Sequence, residues 1–176
     1  EEQRGWKGET VFVLGGGPGL KMEDVETLRM ARQTVRPRNW GHAHLPLLSP
    51  PLVPSHFRVI AINNSYLLAS WSDLLYFCDL KWWLLHMDKQ EFRSFGGLKV
   101  TIRKEFLNME PFDVQVVRKG QEYGLCQVPG AVGHGYNSGH QVVNLCWHLG
   151  VRRVVLMGFD MRRVDGKSHW EGHDGH

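Results

Sequence analysis

The chain has 176 residues, of which 42% are hydrophobic and 22% charged, proportions that exclude a disordered or collagen-like polypeptide and fit one globular domain. Its formal net charge is +3, and the dibasic pairs Arg103 with Lys104, Arg118 with Lys119, Arg152 with Arg153 and Arg162 with Arg163 are scattered. That pattern suits small anionic ligands and gives no strong nucleic-acid signature.

In chain order, Thr10–Leu14 (TVFVL) is a β-branched apolar run that predicts a strand. It stops at Gly15, Gly16, Gly17, Pro18 and Gly19. Over residues 22–35, Val25, Leu28, Ala31 and Val35 fall at helical spacing. Acidic Glu23, Asp24 and Glu26 stand in the first turn, where negative charge complements the helix dipole. Pro37, Pro46, Pro50, Pro51 and Pro54 then make residues 36–56 an insertion within a single domain of residues 1–176. Trp40, His42 and His44 could line a site from this insertion, or lie on its surface.

Residues 58–62 and 74–77 predict two further strands, followed by a helix from about residue 80 to residue 92. Residues 98–102 and 114–117 predict two more strands, and the Gly-rich residues 123–136 read as irregular. Asn137 or Ser138 caps a helix through about Leu149, which Gly150 ends. The last strand is Arg153–Met157, ending at Gly158, Phe159 and Asp160. Short apolar strands alternating with helices predict an α/β, Rossmann-like fold, a mostly parallel sheet covered by helices on both faces. Ligands of such sheets bind beyond the carboxyl ends of the strands.

The cysteines Cys78, Cys126 and Cys146 are an odd number without close spacing, which predicts a reducing compartment and no cysteine zinc site. Apolar runs are strand-length, and the start, Glu-Glu-Gln-Arg, lacks the apolar region of a signal peptide. The expectation is a cytoplasmic protein with no membrane span.

Several residues could carry chemistry. The backbone N–H groups of Gly15, Gly16 and Gly17 could face a phosphate, or simply form a tight turn. Asn63 and Asn64 could read a base or ribose, or start an Asx-turn with Ser65. Asp79, ahead of Trp82 and Trp83, could contact a sugar or ribose, with the tryptophans partly in the core. Asn137, Ser138 and Gly139 could hold an anion at a helix start while also capping it. His169, His173 and His176 stand with Glu171 and Asp174. They suit a general base, a metal site or a polar tail, although Gly172 and Gly175 oppose the helix that paired metal ligands would need.

The segments VLGGGPGL, the Asn after the second strand, NSGHQVVNLCWHLGVRRVVLMGFDM and SHWEGH occur in this order. Together they resemble the bacterial sialyltransferases of glycosyltransferase family 42, and the wider group of motility-associated and pterin-pyrophosphokinase-like proteins. The chain is also similar to small proteins of phage and prophage genomes that pair GGGPSL with a DxxWW-like segment, here Asp79, Trp82 and Trp83.

The resemblance implies a nucleotide-sugar-dependent glycosyltransferase working without a resident cofactor or metal. Gly15, Gly16, Gly17 and Asn63 would hold the nucleotide, and Ser138 with Gly139 match the Ser-Gly that opens the late helix. His173 would be the general base that takes the acceptor hydroxyl's proton. Arg162 stands where the family carries a phosphate-binding Tyr, and would neutralise leaving-group charge. Asp79 and Asp160 would contact sugar or ribose.

Two alternatives accompany this reading. One is a non-catalytic nucleotide-binding module. The other is a (pyro)phosphokinase or hydrolase, whose Mg²⁺ would need Asp79 or Asp160. The expected partner is a nucleotide or nucleotide sugar in the cytoplasm, of a bacterial host if the chain is phage-encoded. A neighbouring subunit in a homo-oligomer could complete the short lid at residues 163–167.

Overall fold

The computed structural model describes residues 5–34, 56–106 and 112–170. The Pro-rich insertion, with Trp40, His42 and His44, lies outside them apart from His56. The described residues form eight strands: β1 (Thr10–Leu14), β2 (Phe57–Ile62), β3 (Leu74–Tyr76), β4 (Leu98–Thr101), β5 (Val114–Val116), β6 (Arg118–Lys119), β7 (Ala131–Val132) and β8 (Arg153–Met157). Six of them form one sheet in the order β5-β4-β3-β2-β1-β8, and every pairing in it is parallel.

A parallel pair needs a crossover connection. Helix α1 (Met22–Thr34) follows β1, α2 (Leu80–His86) and α3 (Gln90–Arg93) link β3 to β4, and α4 (Ser138–His148) precedes β8. The acidic first turn of α1 and its Arg32 in the last turn both suit the helix dipole. No described helix is long and apolar enough to cross a membrane.

Alternate strand residues enter different clusters, as a pleated strand requires. Val11, Val13, Ile60, Ile62, Leu74 and Tyr76 pack with Val142, Leu145 and Cys146 of α4. Phe12, Leu14, Phe57 and Val59 pack with Val25 and Leu28 of α1. Ala61, Leu75 and Phe77 pack with Trp82, Trp83 and Phe92. Burial from Val11 through Leu14 is complete or nearly so, which explains why β1 reads as an unbroken apolar run.

The single helix predicted over residues 80–92 is broken in two. On a straight helix Trp83 and Phe92 would point about 180° apart, at 100° per residue. The break, with Lys89 extended at ψ 138, brings their rings to 5.4 Å in an edge-to-face pair. Both are buried in consequence. Within the residues read as irregular, β7 pairs in parallel with β6.

At the amino ends of the strands, Asp73 joins several elements. Its carboxylate accepts from Arg32 at 2.6 Å, from Arg58 at 3.2 Å and from the Val59 N–H at 2.8 Å. Arg58 also donates to Glu9 at 2.9 Å. Hydrogen bonding to Glu9 and Asp73 outweighs burial and raises the Arg58 pKa. This network lies at the pole opposite the one where ligands of parallel sheets bind.

His86 is only 4% exposed. Its Nδ1 lies 2.8 Å from the Tyr66 hydroxyl, and its ring stacks on Trp82 at 4.3 Å. Burial, with a contribution from Lys89, pushes its pKa down from 6.5 to about 4. Between those values the unfolded chain binds a proton that the folded chain refuses, so stability falls as pH drops from 6.5 to about 4. The expected slope approaches about 1.4 kcal/mol per pH unit. Urea unfolding across this window should show the slope in the wild type and a flatter profile in His86→Phe; equal slopes would contradict the assignment.

Candidate functional site

Strands β1 and β8 are parallel neighbours, so the residues that follow them meet. The Gly15 N–H donates to Met157 O and the Gly17 N–H to Gly158 O, both at 2.8 Å. The Gly19 N–H donates to Asp160 Oδ2 at 2.8 Å. Three amides of the glycine turn therefore bond within the protein.

Absent side chains allow this approach. A Cβ on Gly19 would overlap the Asp160 carboxylate, and one on Gly15 would stand 2.6 Å from Gly158 O. The Phe159 ring is wedged between the turn and the start of α4, within 2.8 Å of a Cβ built on Gly15 and 2.5 Å of one on Gly139. Ser65 Oγ secures the turn from β2's side by donating to Gly15 O at 2.7 Å. The tail folds back onto the same place: Trp170 N–H donates to Gly16 O at 3.1 Å, and the His169 ring lies 3.2 Å from a Cβ built on Gly16.

A cleft at this pole lies on the other flank. It measures about 800 Å³ and is lined by Cys78 and Asp79 after β3, Arg103 and Lys104 after β4, and Arg118 and Lys119 after β5. His134, Tyr136 and the first turn of α4, through Gln141, form the remaining wall.

Arg103 is held in place by its Nε, which donates to Cys78 O at 2.7 Å. Arg118 is held by Pro129 O at 2.7 Å. Lys104 and Lys119 make no hydrogen bond or ion pair among the described residues. Burial, then Lys119 and Arg103, lower the His134 pKa against the opposing pull of Glu122. The four cations face only two carboxylates in the lining, Asp79 and Glu105, and such a focused positive wall attracts phosphate.

The floor is polar and ordered. Gln141, fully buried, donates to His134 O at 2.7 Å and accepts from the Tyr76 hydroxyl at 2.9 Å. Cys78 Sγ lies 3.2 Å from Ser138 Oγ.

The residues singled out in the sequence distribute as follows along the pole. Gly15, Gly16, Gly17 and Asp160 gather at the ends of β1 and β8. Asn63, at the end of β2, has a left-handed φ of 50°, and its buried Oδ1 has no hydrogen-bond partner. Asn64 Oδ1 accepts from Trp82 Nε1 at 2.6 Å. Asp79 caps α2 by accepting from Lys81 N at 2.7 Å and Trp82 N at 3.2 Å, and it also lines the cleft. Asn137 caps α4 through the Gly139 and His140 amides at 2.7 and 3.3 Å. Ser138 faces Cys78, and Gly139 lies beneath Phe159. Arg162 is exposed beyond Asp160. His173, with Glu171, Asp174 and His176, lies outside the described residues.

Among the described residues no group of three or more His, Cys, Asp or Glu is placed to hold a metal ion. Asp79 and Asp160 follow strands three places apart in the sheet, about 14 Å at the usual strand spacing. They could not share one Mg²⁺.

Sequence reasoning did not assign Arg103, Lys104, Arg118, Lys119, His134, Tyr136 or Gln141 to a site. One signal was present: each of the first two dibasic pairs begins immediately after a predicted strand. No protein-family model, curated protein or solved structure matches the chain.

The contact between Gly19 and Asp160 can be tested directly. Gly19→Ala should destabilise the protein by about 1–3 kcal/mol through overpacking. The three nearest neighbours of that Cβ are all Asp160 side-chain atoms. The cost should therefore shrink in an Asp160→Ala background, giving a coupling of about 1 kcal/mol in a double-mutant unfolding cycle. Additive effects would contradict this geometry.

Proposed function

We propose that the protein binds a nucleotide sugar at the strand carboxyl ends and acts as a glycosyltransferase, on a Rossmann-like sheet covered by helices on both faces. The division of alternate strand residues between α4 and the group α1, α2 and α3 supports that architecture. The observation that carries the function is the convergence of Arg103, Lys104, Arg118 and Lys119 on one cleft of about 800 Å³. That size suits a small-molecule ligand.

In this reading the donor's phosphates lie against the four cations. The sugar lies past Asp79, toward the end of β2 where Asn63 stands. The acceptor hydroxyl attacks the anomeric carbon, the bond from that carbon to the phosphate oxygen breaks, and the nucleotide leaves. Negative charge grows on the departing phosphate, and Arg and Lys in place before the reaction stabilise it. Arg162 adds a further cation at the β8 side. His173 takes the hydroxyl proton. His169 and Trp170, the last described residues before it, lie against the glycine turn.

Calorimetric titration with a panel of nucleotide sugars tests this. One donor should bind, and replacing Lys104 and Lys119 together by Ala should weaken it by about tenfold or more, as expected for lost charge-assisted contacts. His173→Ala should abolish transfer while leaving binding intact. Unchanged affinity in the double lysine variant would overturn the assigned cleft. Unchanged turnover in His173→Ala would overturn the catalytic step, and donor binding with no transfer to any acceptor would favour the non-catalytic module.

A further inference from the structure

Two tyrosines stand unusually open at the rim of the cleft, Tyr136 at 63% and Tyr123 at 76% exposure. Their ring centroids are 6.0 Å apart, and Tyr136 is itself part of the cleft lining. Exposed aromatic rings usually retain rotamer freedom, but Tyr136 is held. Its backbone is left-handed at φ 50°, uncommon for a bulky residue and sustained only where the surroundings enforce it. The His134 ring meets it edge-on at 4.6 Å and 90°, and its N–H donates to His134 Nδ1 at 3.3 Å. Glu122, beside the hydroxyl, raises its pKa.

The loop beneath is tied down as well. His134 N–H donates to Gln121 O at 2.8 Å and Gly135 N–H to Glu122 O at 2.9 Å. Asn144 of α4 accepts from both Cys126 N and Gly133 N, at 2.8 and 2.6 Å. The result is a fixed, solvent-facing aromatic ring beside a wall of cations.

We infer that Tyr136, with Tyr123 behind it, is the platform on which the nucleobase of the bound nucleotide stacks, while the phosphates reach Arg103, Lys104, Arg118 and Lys119. This rests on the nucleotide reading above and adds the ligand's orientation. A pre-ordered ring loses little entropy on binding, and a base stacked on an aromatic side chain is tolerant of base identity. The phosphate end therefore anchors the ligand, and the ring selects ligands that carry a base.

The test compares nucleoside monophosphates with ribose 5-phosphate, which has the phosphate and sugar but no base. Wild-type protein should prefer the nucleotides. Tyr136→Leu should weaken nucleotide binding by about tenfold, leave ribose 5-phosphate unchanged and so erase the preference; Tyr136→Phe should retain it. The ring is exposed, so thermal unfolding of both variants should match wild type and separate a binding defect from a folding one. Nucleotide binding that is untouched by Tyr136→Leu yet weakened by Lys119→Ala would overturn the stacking platform and leave the nucleotide reading standing. Failure of every nucleotide and of ribose 5-phosphate to bind wild type would overturn both.

Discussion

All six strands of the main sheet run the same way, and the rest of the molecule follows from that constraint. A parallel strand cannot return through a tight turn, so each crossover starts at one pole and ends at the other. The residues just after each strand are delivered to the same pole. Gly15, Asn63, Cys78, Arg103, Arg118 and Gly158, distant along the chain, all stand along one edge of the sheet. At the opposite pole Asp73 ties two arginines together.

That shared edge has two flanks of different character. Around β1 and β8 the backbone has closed on itself. Glycines let Asp160 and Phe159 approach, and three turn amides bond to protein acceptors. Around β3, β4 and β5 the edge is open, and cationic side chains replace backbone amides as the anion-attracting groups. Asn63 stands between the two, with a carbonyl oxygen buried and unpaired. An unpaired buried acceptor is costly in a folded protein.

Much of the scaffold was legible in the sequence because the signals are local. The apolar run TVFVL, the acidic start of α1 and the Asn137 cap each report on a few consecutive residues. The break between α2 and α3 was not legible, since nothing in LKWWLLHMDKQEF forbids a continuous helix. It follows from Trp83 and Phe92 entering one aromatic cluster, a tertiary demand. The cationic cleft was hidden for the same reason. Arg103 and Arg118 are fifteen residues apart in the chain and face one cleft only because β4 and β5 pair in parallel. Conversely, the glycines were conspicuous, and a single chain cannot show whether glycine is present for a phosphate or for Phe159 and Asp160.

We propose that ligand binds on the open flank, against the cations that follow β4 and β5. Amide hydrogen exchange with and without a saturating nucleotide sugar tests this most directly. Exchange should slow over residues 102–106, 117–120 and 133–141. Slowing confined to residues 15–20 and 158–163, with the other segments unchanged, would contradict it and move the site to the glycine turn.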